Sequence, residues 1–408
     1  MKKIKIFLLS EKTYSFLISA FLISLPLLYA YSTTLLIVLL TVSLFSSFYH
    51  KIEFKKEYLI PFSFYLLIVI SLFWTIDFSK SLRGLERELS FLLVPIIFIL
   101  MPSISRKVLL QSLYAFAVSM AILAIFFIVN AVFLFTVEGT IEVFFYHNLV
   151  APMGLNAIYI STMTSLSLLY LIFYSKKKLF NGLIILTLSA FLILLSSKNL
   201  IFITIISIII GLLVSKKINL KRLAFIIILI LGIFTILFYS PLKKRMDKEF
   251  TSNVKEVITS EKFNRVYPWT GSTIRLFQAR IFYELLKEND IFFTGFGINA
   301  SQEKIIQKQN QYNLYWGYNN YNFHNQYIQA FAELGFFGLI LILLFLSVIF
   351  KGYLSSRELM SLFFFLVMMS VFMTESYLWR QRGLLHFLII FSMLIKIRQP
   401  SILTNGKK

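Results

Sequence analysis

Residues 108–135 read VLLQSLYAFAVSMAILAIFFIVNAVFLF, a run without one charged side chain. It is longer than the roughly 20 residues that an α-helix needs to cross about 30 Å of hydrocarbon. Its apolar residues are continuous rather than alternating, so a helix, not a barrel strand, would satisfy the backbone in lipid. Similar runs recur at 199–215, 222–240 and 336–350, and the 408-residue chain is 58% hydrophobic and only 14% charged. A soluble domain of this size would carry more charge to cover its surface. The expected fold is an all-α integral membrane protein with about 12 transmembrane helices and one large periplasmic loop containing short helices.

The expected spans are roughly 13–30, 33–49, 59–76, 89–102, 108–135, 156–174, 180–196, 199–215, 222–240, 326–350, 359–375 and 384–397. They divide the chain into an N-terminal membrane region (1–240, about nine helices), a large loop (241–323), a C-terminal membrane region (324–397, about three helices) and a tail (398–408). The basic start Met1–Lys12 runs into an apolar segment with no small-residue cleavage pattern, so it reads as a retained first helix. With no cysteine, disulfides, thiolate nucleophiles and Cys-ligated metals are ruled out.

Charge placement sets the expected topology. Of the 40 basic residues, 22 fall in the termini and the short loops on the same side as the termini, among them Lys51, Lys55, Arg106, Lys176–Lys178, Lys216 and Lys351. The opposite short loops hold only Lys80, Arg83, Arg87, Lys198, Arg380 and Arg382. By the positive-inside rule both termini are cytoplasmic and the 241–323 loop faces outward, in a multi-pass protein. Most of the net +21 is then a topology signal and a contact with membrane lipids, and no nucleic-acid partner is needed to explain it.

A transporter concentrates polar residues at the midplane of its spans, often on broken helices or repeats. Here polar residues collect in the long loop instead, and a loop of that length is itself a functional signal. The alternating charges from Lys243 to Arg265 suit a solvated or interfacial helix. Ser272 or Thr273 can cap a following helix whose apolar stripe is Ile274, Phe277, Ile281 and Leu285. Arg275 falls in its first turn, where the helix dipole disfavours a cation, which suggests an external anion partner. Arg280 lies about 140° further round, a surface or headgroup contact.

Thr294-Gly295-Phe296-Gly297-Ile298-Asn299 reads as a tight turn, and without a preceding strand it is a weak phosphate fingerprint. The tyrosine-rich stretch 309–323 suits either a membrane interface or stacking on sugar rings. His324 at the mouth of a helix beside the loop is placed for proton transfer, with Asn325, Gln329 and Glu333 forming one polar line.

The stretch from Thr273-Ile274-Arg275 through Glu284–Asp290 and Gly295-Phe296-Gly297 to His324-Asn325 and AELGFFGL resembles the signature region of the O-antigen ligase/O-antigen polymerase superfamily. These are polytopic bacterial glycosyltransferases of GT-C type. The resemblance covers roughly 273–339 closely and the rest only through the hydropathy profile. It implies an inverting enzyme of the inner membrane that needs no metal and no cofactor. An undecaprenyl-diphosphate-linked glycan would be the donor, and lipid A-core or a second lipid-linked glycan the acceptor.

It further implies His324 and Arg275 as catalytic residues, with the diphosphate held by Arg275 and a second basic residue at the end of an earlier helix. Where a Ser-Ser-Arg-like motif is expected the sequence has Ser196-Ser197-Lys198, and lysine keeps the charge but loses the bidentate fork. Asn325, Arg280, Glu375, Arg382 and His147 are supporting candidates, with Arg380 on the same face. Opposed charges at the midplane would instead favour a transporter of lipid-linked saccharides, and the Lys198 departure leaves room for an inactive binding protein.

Overall fold

The computed structural model describes residues 2–215 and 253–397. The expected span 222–240, the charged stretch before residue 253 and the tail from 398 lie outside the described residues. Among those described, every regular element is helical. They are α1 (Lys2–Leu9), α2 (Glu11–Ser24), α3 (Tyr29–Ser47), α4 (Leu59–Ser71), α5 (Phe78–Arg87), α6 (Ser90–Leu100), α7 (Arg106–Glu138), α8 (Tyr146–Val150) and α9 (Ala157–Tyr174). After these come α10 (Leu179–Leu194), α11 (Lys198–Val214), α12 (Val254–Thr259), α13 (Gly271–Glu288), α14 (Ser301–Gln311), α15 (Gln326–Ser356), α16 (Leu359–Phe372) and α17 (Gln381–Lys396), with short 3-10 turns between some of them.

Four of these helices, α3, α7, α9 and α15, are long and apolar enough to cross a membrane. The other expected spans within the described residues are also helices, but shorter, from the 11 residues of α6 to the 17 of α11. The expected first span, 13–30, ends early: α2 stops at Ser24 and α3 begins at Tyr29. Pro26 lies between them and cannot donate to a continuing helix.

Helix α9 is buried along almost its whole length. Two of its hydroxyls are satisfied locally, Thr162 Oγ1 donating to Ile158 O (2.8 Å) and Thr164 Oγ1 to Ile160 O (2.8 Å). Such back-bonding lets small polar side chains sit in an apolar core without an unmet donor.

Helix α15 is two helices in one span. At Gly335 the backbone turns to φ 65°, ψ −163°, a conformation only glycine tolerates. The break frees backbone groups that the 292–297 turn then takes up: Phe296 N donates to Ala332 O (2.8 Å), Gly297 N to Glu333 O (2.9 Å), and Phe336 N to Phe292 O (2.8 Å). A Cβ on Gly335 would lie 2.1 Å from Phe293 O, and one on Gly297 would lie 2.3 Å from Thr75 Oγ1. Both glycines are therefore needed for close backbone approach, and the Gly-Phe-Gly turn is a structural lock with the helix rather than a phosphate cradle.

The 253–325 segment has a core of its own, separate from that of the bundle. The stripe Ile274, Phe277, Ile281 and Leu285 is buried in it, together with Val257, Phe263 and Ile305. Each such side chain contributes about 1.5–3 kcal/mol relative to exposure. In the described part of the alternating-charge stretch only α12 is helical, with Asn253 Oδ1 capping it at Glu256 N (3.1 Å). The cap of α13 is Thr270, not Ser272 or Thr273. Its hydroxyl accepts from Thr273 N (3.3 Å), while Thr273 Oγ1 accepts from Thr270 N (2.8 Å), a reciprocal box that starts the helix at Gly271.

Candidate active site

The turn that follows α16, Met373 to Ser376, gathers side chains from three distant stretches of the chain. Arg275 Nε donates to Thr374 O (2.8 Å). Asn199, next to Lys198, donates through Nδ2 to Thr374 Oγ1 (3.0 Å) and to Ser370 O (3.0 Å), while Ser370 Oγ donates back to Asn199 Oδ1 (2.7 Å). Asn325 Nδ2 donates to Met373 O (3.2 Å), and Glu375 Oε2 lies 3.6 Å from His324 Nδ1. Residues 199, 275 and 324–325 are thus registered on three consecutive residues.

Arg275 is held with its charge unspent. Arg275 is the fifth residue of α13, and its second bond, Nη1 to Gly271 O (2.6 Å), runs back one turn. Both acceptors are neutral carbonyls, so these bonds fix the guanidinium without cancelling its charge, and the side chain stays partly exposed. Lys198 is the first residue of α11, following Ser196 in a left-handed conformation (φ 53°). A cation at a helix N-terminus opposes the dipole, so the stability of α11 does not account for it.

His324 precedes its helix rather than lying on it. Asn325 is the cap of α15, its Oδ1 accepting from Tyr327 N (3.0 Å) and Ile328 N (3.1 Å), and this starts the helix at Gln326, two residues after His324. His324 takes φ 47°, and its amide donates to Asn322 Oδ1 (2.8 Å). Asn325 therefore positions the turn that carries His324. The polar line expected along the helix is real from Gln329 onward. Gln329 Nε2 donates to Glu333 Oε1 (2.7 Å), and Glu333 also accepts from Asn299 N (2.6 Å), Ser301 Oγ (2.9 Å) and Trp379 Nε1 (2.7 Å). Four donors make this buried carboxylate an internal tie between the 294–301 segment, α15 and the turn before α17.

Three other candidates are not brought to the 373–376 turn. Arg280 faces the loop core: Nε donates to Glu284 Oε1 (3.0 Å), Nη1 to Ser260 O (2.8 Å) and Val257 O (3.1 Å), and the guanidinium lies over the Tyr312 ring (4.6 Å). Arg382 donates to Leu25 O (2.6 Å) and Leu27 O (2.8 Å), closing the α2–α3 turn against α17. His147 Nδ1 accepts from Ala157 N (3.3 Å) at the start of α9. Arg380 is exposed, at the cap position of α17.

Thr374 and Asn199 were not singled out from the sequence. Thr374 had one signal: its neighbour Glu375 is the only charged residue between Glu358 and Arg380.

The arrangement has the parts of a transfer site: an arginine bonded only to neutral carbonyls, a second basic residue at the start of α11, a histidine beside a carboxylate, and a partly exposed position between chain segments. A search of curated proteins finds no match to the chain. Residues 182–343, a segment that includes Lys198, Arg275 and His324, match the family model described as O-antigen ligase.

Proposed function

We propose that the protein is an inverting membrane glycosyltransferase. It moves a glycan from an undecaprenyl-diphosphate donor to an acceptor hydroxyl on lipid A-core, at the periplasmic face of the inner membrane with both termini cytoplasmic. The observation that carries this reading is the convergence of Arg275, Asn199 (the neighbour of Lys198) and His324 on Met373–Glu375. The family match supports a ligase- or polymerase-type membrane function in general.

The chemistry asks little covalent work of the protein. The acceptor oxygen attacks the anomeric carbon, the bond from that carbon to the diphosphate oxygen breaks, and the diphosphate leaves with the electron pair. Arg275 and Lys198 neutralise charge that develops on the leaving oxygens. His324 takes the proton of the attacking hydroxyl, with Glu375 behind its other ring nitrogen. A single displacement of this kind inverts the anomeric centre, and holding the two reactants together supplies much of the rate.

The test is purified protein with a defined lipid-linked donor and candidate acceptors supplied one at a time. Transfer to core lipid without polymer growth is the expected result. Polymer growth on a second lipid-linked glycan would reassign the acceptor, and normal surface-glycan assembly with Arg275→Ala and His324→Ala at wild-type protein levels would sink the catalytic assignment.

A further inference from the structure

Four aromatic rings form an unbroken series that ends on His324. Trp316 lies against Tyr315 (centroids 4.9 Å), Tyr315 against Tyr318 (6.1 Å), Tyr318 against Tyr321 (5.5 Å), and Tyr321 against the His324 imidazole (5.4 Å). The far end is open: Trp316 is 71% exposed and Tyr315 36%. The backbone beneath is fixed, Gln302 Nε2 donating to Asn319 O (2.7 Å) and Tyr321 O (3.0 Å), and Tyr315 N to Arg265 O (2.8 Å). A Cβ on Gly317 would lie 2.4 Å from the Tyr315 ring, so the glycine makes room for that ring.

Composition separates two uses of such a surface. From Gln309 to Asn325 there is no Lys, Arg, Asp or Glu, although the loop around it holds 12 basic residues. The polar residues are amides: Asn310, Asn313, Asn319, Asn320, Asn322 and Asn325. Asn319 Oδ1 is buried without a hydrogen-bond partner among the described residues. A segment built to lie among anionic headgroups pairs its Trp and Tyr with Lys and Arg. Aromatic faces carry negative potential and meet the C–H face of a pyranose ring, while amides bond its hydroxyls.

We infer that the Trp316–Tyr321 series is a glycan-binding track that leads uncharged pyranose rings to His324. This rests on the proposed transferase reading for the identity of the sugar chain, which belongs to the donor or the acceptor. The track binds saccharide independently of the diphosphate.

The test uses full-length protein in phosphatidylethanolamine–phosphatidylglycerol nanodiscs. The probe is the oligosaccharide freed by mild acid from the polyprenyl-linked glycans of the host, which has no diphosphate for Arg275 to hold. Wild-type protein is expected to bind it with a change in tryptophan emission. Trp316→Ala should bind roughly tenfold more weakly at an unchanged thermal transition, and Trp316→Phe should bind without that change in emission.

Equal binding by Trp316→Ala overturns the track, as does quenching of the Trp316 emission by brominated acyl chains, which would place the ring in lipid. Absence of oligosaccharide binding, with His324-dependent transfer intact, removes the track and leaves the transferase. Trp316-dependent binding, with transfer surviving His324→Ala, does the reverse. Transfer to lipid-linked glycan against transfer to core lipid in Trp316→Ala tells which substrate runs along it.

Discussion

Glu375 Oε2 stands 3.6 Å from His324 Nδ1, and the two residues come from segments 51 positions apart in the chain. That distance is too long for a close hydrogen bond, and the pair becomes ionic only once the imidazole has taken a proton. Glu375 is almost fully buried, whereas His324 is partly open, so the carboxylate lies behind the ring and Nε2 is the nitrogen left for a substrate. His324→Ala should lower transfer by about 10²–10⁴-fold. Glu375→Gln should lower kcat by about tenfold, equivalent to about 1.4 kcal/mol, and leave KM for the acceptor near its original value. Initial rates across acceptor concentrations read both, and a Glu375→Gln effect confined to KM would assign Glu375 to substrate binding instead.

Arg275 and Lys198 are expected to differ in how they tolerate exchange. Arg275 uses its planar fork twice, on Thr374 O and Gly271 O, so Arg275→Lys loses that positioning along with bidentate recognition. We expect Arg275→Lys to be nearly as impaired as Arg275→Ala, each by on the order of 100-fold or more. Lys198→Arg should retain activity, while Lys198→Ala should weaken donor use. Donor-dependent rates in one membrane preparation decide this, and full activity of Arg275→Lys would show that charge alone suffices.

The break in α15 makes a stability prediction free of any functional assumption. Gly335→Ala must either strain φ 65° or push against Phe293 O. It should cost about 3 kcal/mol or more, visible as a lower Tm in detergent and lower protein yield. Gly182, which has nothing within 4 Å of an added Cβ, is the control, and Gly182→Ala should be neutral or slightly stabilising.

In the loop, burial would raise the pKa of Glu284. Hydrogen bonds from Tyr312 (2.6 Å), Lys308 (3.2 Å) and Arg280 (3.0 Å) outweigh it and hold the carboxyl below its usual range. A depressed folded pKa contributes stability that is present above the unfolded value of about 4.5 and is lost as pH falls through the folded one. Amide protection within 271–312, corrected for the intrinsic pH dependence of exchange, should therefore hold from pH 7 to about 4.5 and fall below that. Glu284→Gln should show faster exchange at pH 7 and a weaker dependence on acid. Equal pH dependence in the variant would show that other carboxylates govern the loop.

Hydropathy located the helices because each long apolar run leaves the backbone no other choice in lipid. It could not locate the break at Gly335, because the helical pattern resumes at once on its far side and the stop comes from the partner turn at 292–297. Arg275 and His324 were legible from residue type and placement beside the loop. Their common seat was not, since Thr374 acts through its carbonyl, which every residue has. Arg280 shows the opposite limit. Its separation from Arg275 around the helix was legible, but its acceptors, Val257 and Ser260, depend on how the loop closes on itself.

The exchange of backbone bonds at the α15 break also fixes where the loop can move. Peeling 292–297 away would strand donors and acceptors at Ala332, Glu333 and Phe336 in a low-dielectric interior, at roughly 1–3 kcal/mol for each. That end of the loop is accordingly a fixed abutment.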